Sequence, residues 1–256
     1  MTFLNELMES TRQRVIDSQE KISEGALEQR IASVPEAKSL KTALTSAPMT
    51  LIAEIKRATP SKGPLDLELD PRKLAHAYAQ GGAAAISVLT EPTGFKGSLD
   101  DMQAATEAGL PVLRKDFIID EWQIFEARAW GADAVLLIVR CAGDRLPSLY
   151  STATSLGMDA LVEVMDEKEV EKAMEVGAEI VGINHRDLET FEVDPQRTLK
   201  LAPLLGTDVV VVSLSGVSER SQVEALATAG ARSVLVGESL VTAPDPAAKI
   251  GELLGR

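Results

Sequence analysis

The sequence predicts a (β/α)8 barrel carrying a helical N-terminal extension, and three observations predict it. A short motif, glycine followed by a continuous apolar run, recurs along the chain. It reads "GGAAAISVL" from Gly81, "GADAVLLIV" from Gly131, "GAEIVGIN" from Gly177 and "GARSVLVGE" from Gly230, with "AGLPVLRKDF" from Ala108 as a looser copy. Amphipathic segments fill every gap between the runs. Eight such units follow residue 50 in a chain of 256 residues, the size at which a parallel sheet closes on itself.

Each element has a local reason. The first 48 residues carry helical periodicity at 2–17, 24–32 and 36–44, and are read as an extension packed on the barrel, so that 1–256 form one domain. The first strand is expected at 50–55. "DPRKLAHAYAQ" follows from Asp70, with an N-cap Asp before a Pro at the first helical position. Strands are expected at 85–89 and 111–115, then a helix from Asp120 ("DEWQIFEARAW") and a strand at 134–139. A strand at 160–164, a helix from Asp166 ("DEKEVEKAMEV") and strands at 180–184 and 208–213 come next. A helix capped by Ser218 ("SERSQVEALATA") and a strand at 233–237 complete the series. Unalternated apolar runs are what strands buried on both faces look like, and the glycine before each accepts the left-handed conformation at a helix end. An open doubly wound sheet is the other reading. It would need a glycine-rich phosphate fingerprint after its first strand, and neither G-x-G-x-x-G nor G-x-x-x-x-G-K occurs there.

Composition narrows the function. Asp and Glu number 39 against 26 Lys and Arg, a net charge of −13. Without a long basic run this argues against nucleic-acid binding, which relies on phosphate neutralisation. The single cysteine, Cys141, excludes an intrachain disulfide and reads as a core or loop residue. The N-terminus "MTFLNELMESTRQRV" is too polar for a signal peptide, and the runs "AVLLIV" and "VVVV" are too short to span a membrane. A cytoplasmic protein is expected. No His/Asp/Glu cluster at metal spacing and no nucleotide loop appears, so neither metal nor cofactor is expected.

In such barrels chemistry sits at the C-terminal strand ends. Those ends hold Glu54 and Lys56; Arg114, Lys115 and Asp116; Glu163; Asn184, His185 and Arg186; Ser213 to Gly216; and Gly237 to Ser239. Charges inside apolar strands cost several kcal/mol each unless paired, by the order of magnitude for buried ions, so a rim of them points to a site or to structural salt bridges. Glu54 and Lys56 share a strand face, with Lys115 opposite. "LSGV" and "VGESL" offer backbone N–H groups, and "GESLV" is expected to open a short helix, at the usual phosphate position of this fold. His76 reads as structural. His185 should point away from its neighbours into the barrel wall, leaving proton transfer to Lys and Glu.

"IAEIKRATPSKG" resembles the signature block of the indole-3-glycerol phosphate synthase family, and "SVLTEPTGFKGS", "PVLRKDFIID", "LVEVM", "VGINHRDL" and "VGESLV" resemble its other strand-end blocks in the same order. The resemblance covers nearly the whole chain. It implies conversion of 1-(2-carboxyphenylamino)-1-deoxyribulose 5-phosphate to indole-3-glycerol phosphate, with loss of CO2 and water, in tryptophan biosynthesis. By resemblance Lys115 is the general acid, Glu163 assists dehydration, and Lys56, oriented by Glu54, meets the substrate's anionic groups. Asn184 and Arg186 hold hydroxyls. Ser215, Gly216, Gly237 and Glu238 (through its N–H) bind phosphate, with Pro60 and Ser61 also substrate-binding. Phe95, Phe117, Leu136, Ile138 and Leu188 clamp the anthranilate ring. A phosphorylated anthranilate substrate, no cofactor and a monomer follow.

Two residues depart from the family pattern. Thr59 stands where Ser is usual and keeps the hydroxyl. Leu214 stands where Glu is usual, and is expected to leave nearby donors unpaired and to weaken activity. Other readings are an isomerase of the same pathway, a redirected barrel acting on another anionic substrate, and a barrel that only binds phosphate ligands. The isomerase would need a Cys/Asp pair at strands 1 and 4, and Cys141 lies past strand 4. A binder would have no need of Glu54, Lys115, Glu163 and Asn184 together.

Overall fold

The computed structural model describes residues 3–256, a closed ring of eight parallel strands. They are β1 (Thr50–Ile55), β2 (Ala85–Leu89), β3 (Val112–Lys115), β4 (Ala134–Ile138), β5 (Asp159–Val164), β6 (Ile180–Asn184), β7 (Val210–Leu214) and β8 (Ser233–Val236). The ring closes because β1 pairs with both β8 and β2, Ala53 opposite Val236 and Glu54 opposite Ser87.

Alternation along each strand sorts side chains into two cores. Ile52, Leu113, Leu136, Leu161, Ile180 and Val212 point inward and fill the barrel. Their neighbours Leu51, Ala53, Val112, Val135, Val162, Val181 and Val211 point outward under the helices. Fully burying a Leu, Ile or Val stabilises by about 1.5–3 kcal/mol, so a one-residue slip of any strand is strongly disfavoured. The same parity decides the rim. Glu54, Lys115, Glu163, Asn184 and Leu214 continue the inward rows, while Arg114 continues the outward one.

The extension has three helices, α1 (Phe3–Lys21), α2 (Glu24–Ser33) and α3 (Leu40–Leu44). α1 crosses the C-terminal rim. Its Arg14 pairs with Asp116 at 3.0 Å, and its Ser18 hydroxyl donates to Glu126 at 2.6 Å. α3 plugs the opposite end: Leu40 and Leu44, both fully buried, join the interior core, and the Lys41 ammonium bonds Glu179 at 2.9 Å.

The helix expected at 36–44 is confined to Leu40–Leu44. The Lys38 N–H is taken by the Asp133 carboxylate and Ser39 caps the helix, so upstream backbone donors serve the barrel instead. α1 runs on to Lys21 rather than ending at 17. β4 stops at Ile138 because Val139–Ala142 turns into helix. β7 includes Leu214, and β8 stops at Val236 because Gly237 caps the short helix Glu238–Val241. Helix Arg220–Thr228 is capped at Glu219 rather than Ser218: the Gln222 side-chain oxygen accepts from both N–H groups. A small hairpin, Ala58–Thr59 with Gly63–Pro64, rises after β1 and was not expected.

Candidate active site

A cavity of about 440 Å³ opens at the C-terminal rim. Glu54, Lys56, Pro60, Ser61, Phe95, Lys115, Phe117, Asn184, Arg186, Leu188, Ser215, Gly216, Gly237 and Glu238 all line it. Three residues expected at the site do not. Leu136 and Ile138 lie with Phe117 in the interior core, and Glu163, almost fully buried, bonds the lining residue Asn184.

The floor is a charge cluster. The Glu54 carboxylate lies 2.8 Å from the Lys56 ammonium through Oε1 and 3.2 Å from the Lys115 ammonium through Oε2. Burial alone would raise the Glu54 pKa, but Lys115 and Lys56 outweigh it and hold it down at about 2. Burial alone would lower Lys115; Glu54 and Glu163 outweigh that and raise it, so the ammonium keeps its proton at neutral pH. From outside the barrel the Tyr78 hydroxyl donates to the Glu54 carbonyl at 3.0 Å and fixes the strand.

A second chain of contacts runs along the β5–β7 wall. The Asn184 amide donates to Glu163 at 2.8 Å, and its oxygen accepts from the Ser215 hydroxyl at 2.9 Å and the Arg186 N–H at 3.0 Å. Ser215 takes a left-handed φ of 70°, rare for a residue with a Cβ, and this bond holds it there. Burial raises the Glu163 pKa despite Lys115, placing the carboxyl closer to neutral range than an exposed one.

The mouth is shaped by anchored loops. Arg57 forks onto Asp101 and donates to the Leu67 and Leu69 carbonyls, pinning the loop after β1. The buried Glu91 accepts the N–H groups of Thr93, Gly94 and Phe95, which sets Phe95 at the rim. At the tip of the hairpin, Lys62 pairs with the Glu238 carboxylate at 2.5 Å. Phe95, Phe117 and Leu188 form an apolar side, and α1 adds Leu4 and Leu7.

Leu214 also lines the cavity, buried between Asn184 of β6 and Leu235 of β8 and resting over Gly182. Leu214 is expected to leave nearby donors unpaired; the cavity's two lysines are not left so, since Glu54 partners both ammonium groups.

Several lining residues were not anticipated: Leu4, Leu7, Lys62, Phe191, Leu235 and Thr242. Leu4 and Leu7 carried a signal, an i, i+3 apolar pair at the start of an amphipathic helix. Phe191, at φ 60°, carried none. His185 is turned to the outer wall, its Nε2 2.7 Å from the Thr198 hydroxyl, as alternation predicts. Cys141 is buried and burial pushes its thiol up to about 12, so it is no nucleophile. Among the described residues no group of three or more His, Cys, Asp or Glu is placed to hold a metal ion.

The family model for indole-3-glycerol phosphate synthase matches residues 4–253. The chain belongs to this family. It is 47% identical over 246 residues to indole-3-glycerol phosphate synthase 2 of Streptomyces coelicolor, covering 95% of this chain and 93% of that one. It is 45% identical over 256 residues to the indole-3-glycerol phosphate synthase of Rhodococcus jostii, covering 99% and 95%. Among solved structures it resembles the N-acetylmannosamine-6-phosphate 2-epimerase of Clostridium perfringens, with a TM-score of 0.62 at 18% identity, covering 85% of this chain and 96% of that one. It also resembles the thiamine phosphate pyrophosphorylase of Pyrococcus furiosus, with a TM-score of 0.60 at 16% identity and the same coverage. At such identities these two likenesses speak for the barrel alone.

Proposed function

We propose that this protein is an indole-3-glycerol phosphate synthase, closing the indole ring of 1-(2-carboxyphenylamino)-1-deoxyribulose 5-phosphate. The observation that carries the reading is Lys115: a half-buried ammonium, kept protonated by Glu54 and Glu163, at the floor of a cavity with a cationic side and an apolar side. The substrate's ring lies among Phe95, Phe117 and Leu188, above Leu136 and Ile138. Its phosphate lies by Ser215, Gly216, Gly237 and the Glu238 N–H, with Pro60 and Ser61 closing over it. Lys56 meets the carboxylate, and Arg186 with Asn184 meets the hydroxyls.

The ring carbon bearing the carboxylate attacks the ribulose C2 carbonyl, and Lys115 gives its proton to that oxygen as the new bond forms. Departure of CO2 returns the bonding pair to the ring. The new hydroxyl then takes up a proton and leaves as water while the former ribulose C1 gives up a proton to form the ring double bond, with Glu163, steadied by Asn184, serving this transfer. Glu54 is almost fully buried and its two lysines mostly so, and each charge contact there is stronger than in solution. The enzyme works as a monomer and as one domain, extension included. No helix of the described residues is long and apolar enough to cross a membrane, and a soluble substrate suits a cytoplasmic enzyme. Indole-3-glycerol phosphate fluorescence tests the proposal directly: turnover by the native chain that disappears in Lys115→Ala is expected, and a native chain without turnover would refute it.

A further inference from the structure

Gly237 is adjacent to Glu54 by necessity. Ala53 of β1 pairs with Val236 of β8, so the next residue on each strand, Glu54 and Gly237, stand side by side on the inner wall. The position of Gly237 is fixed from above, where its carbonyl accepts the N–H groups of Leu240 at 2.9 Å and Val241 at 3.0 Å. The Glu54 carboxylate folds across the bare Cα of Gly237. A Cβ there would lie 2.3 Å from Glu54 Oε1, 2.9 Å from Lys56 Nζ and 3.1 Å from Glu54 Cβ. The first two atoms are the ends of flexible side chains, so an added methyl group would shift the ion pair rather than prevent folding.

We propose that Gly237 is a positioning residue for the proton-transfer machinery: its missing side chain is the seat in which the Glu54 carboxylate lies while it holds Lys56 and Lys115. This rests on the synthase reading for its kinetic consequence but not for its geometry. A glycine at a phosphate-binding strand end would ordinarily be credited only with letting backbone approach an anion. Here the space it leaves faces the catalytic carboxylate as well. Gly216 at the neighbouring strand end differs. Its φ is +80°, and a Cβ there would meet only Val193, at 2.9 Å. The two glycines therefore separate the two demands on this rim.

The test compares Gly237→Ala with Gly216→Ala in kcat, in KM and in the inhibition constant of inorganic phosphate. A crystal structure of Gly237→Ala accompanies the kinetics. Misplacing a catalytic group by about 1 Å costs about 100-fold, so kcat of Gly237→Ala should fall by about that factor while phosphate inhibition changes by less than about 3-fold. Gly216→Ala should show a different pattern, weaker phosphate inhibition and a KM raised by at least the factor by which kcat falls. The crystal structure should show the Glu54 carboxylate moved by about 1 Å or more from Lys56. Unchanged kcat in Gly237→Ala, or a loss of phosphate inhibition as large as the loss of kcat, would overturn the proposal. If the native chain shows no turnover, the synthase reading fails first, and an unmoved Glu54 in the Gly237→Ala crystal would then sink the seat by itself.

Discussion

Two clusters of charge stand within a few residues of each other on the rim of this barrel, and they are built to opposite ends. Arg114 and Asp116, facing outward from the end of β3, meet Arg14 of α1, Thr90 and Glu126. Two cations meet two carboxylates. Asp116 accepts from Arg14, Arg114, Thr90 and its neighbour's N–H, and Arg114 donates to Thr90, the Gln123 carbonyl and Glu126. Lys115, between them in sequence, faces inward to a cluster in which two lysines share one glutamate. The outward cluster is charge-balanced and bolts the extension to the barrel. Counted with Glu163 and Arg186, the inward one carries a cation in excess, beside a cavity, and awaits an anionic substrate. A charge buried in a strand end is therefore no signature of function by itself; an unbalanced one that faces a cavity is.

The contrast can be broken from either side. Lys115→Ala should lower kcat by about 10²–10⁴-fold, the range of general acid catalysis, and cost less stability than Asp116→Ala because Lys56 still partners Glu54. Asp116→Ala should do the reverse. Removing one partner of a buried pair costs about 3–5 kcal/mol, read as a drop in denaturant midpoint, while the fraction still folded keeps most of its kcat. Equal effects of both substitutions on both readouts would erase the distinction.

Acid offers a finer probe. Glu54 and Asp116 both have folded-state pKa values held at about 2, below their ordinary 4.5 and 3.8. Burial opposes this in both; Lys115 and Lys56 overcome it at Glu54, and Arg14 and Arg114 at Asp116. A depressed carboxylate pKa stabilises the fold above its unfolded value, and that stability is lost as pH falls toward the folded one. Each should contribute about 2–3 kcal/mol that fades between about pH 4.5 and 2, followed by circular dichroism. Glu54→Gln should flatten part of that decline, and an identical acid profile in Glu54→Gln would show that the lysines do not hold this carboxylate down. The smallest change expected is a gain: Leu214→Glu should raise kcat about 3- to 10-fold, the worth of about 1 kcal/mol, by giving Asn184 and the substrate hydroxyls a second acceptor. A fall in kcat would mean that Glu54 alone serves better than two carboxylates do.

The barrel was legible because its strands are buried on both faces and all but β1 and β7 follow a left-handed glycine at a helix end. Parity then told which rim residues face in, and so predicted the orientations of Lys115, Glu54 and His185. What escaped was set by partners far off in the chain. Arg14 finds Asp116 across 102 residues, and the Lys41 N–H finds Asp159 across 118. No local pattern encodes either. The hairpin after β1 escaped because each of its strands is only two residues long. The resemblance implies Leu136 and Ile138 at the substrate ring, whereas packing keeps both in the interior core with Phe117.

The extension reaches both ends of the barrel, and this bears on synthesis. Its helices leave the ribosome before any strand exists. α3 is secured by Asp133, Asp159 and Glu179, and α1 by Asp116 and Glu126. Short helices without a packing partner are marginal in water. Until β6 has been made, more than two-thirds of the way along, the plug has no complete seat, and the apolar faces of Leu40 and Leu44 must wait beside a growing, unclosed sheet. The helices made earliest are among the last to be locked in place, and the open sheet they wait for is the stage at which this chain is most exposed to aggregation.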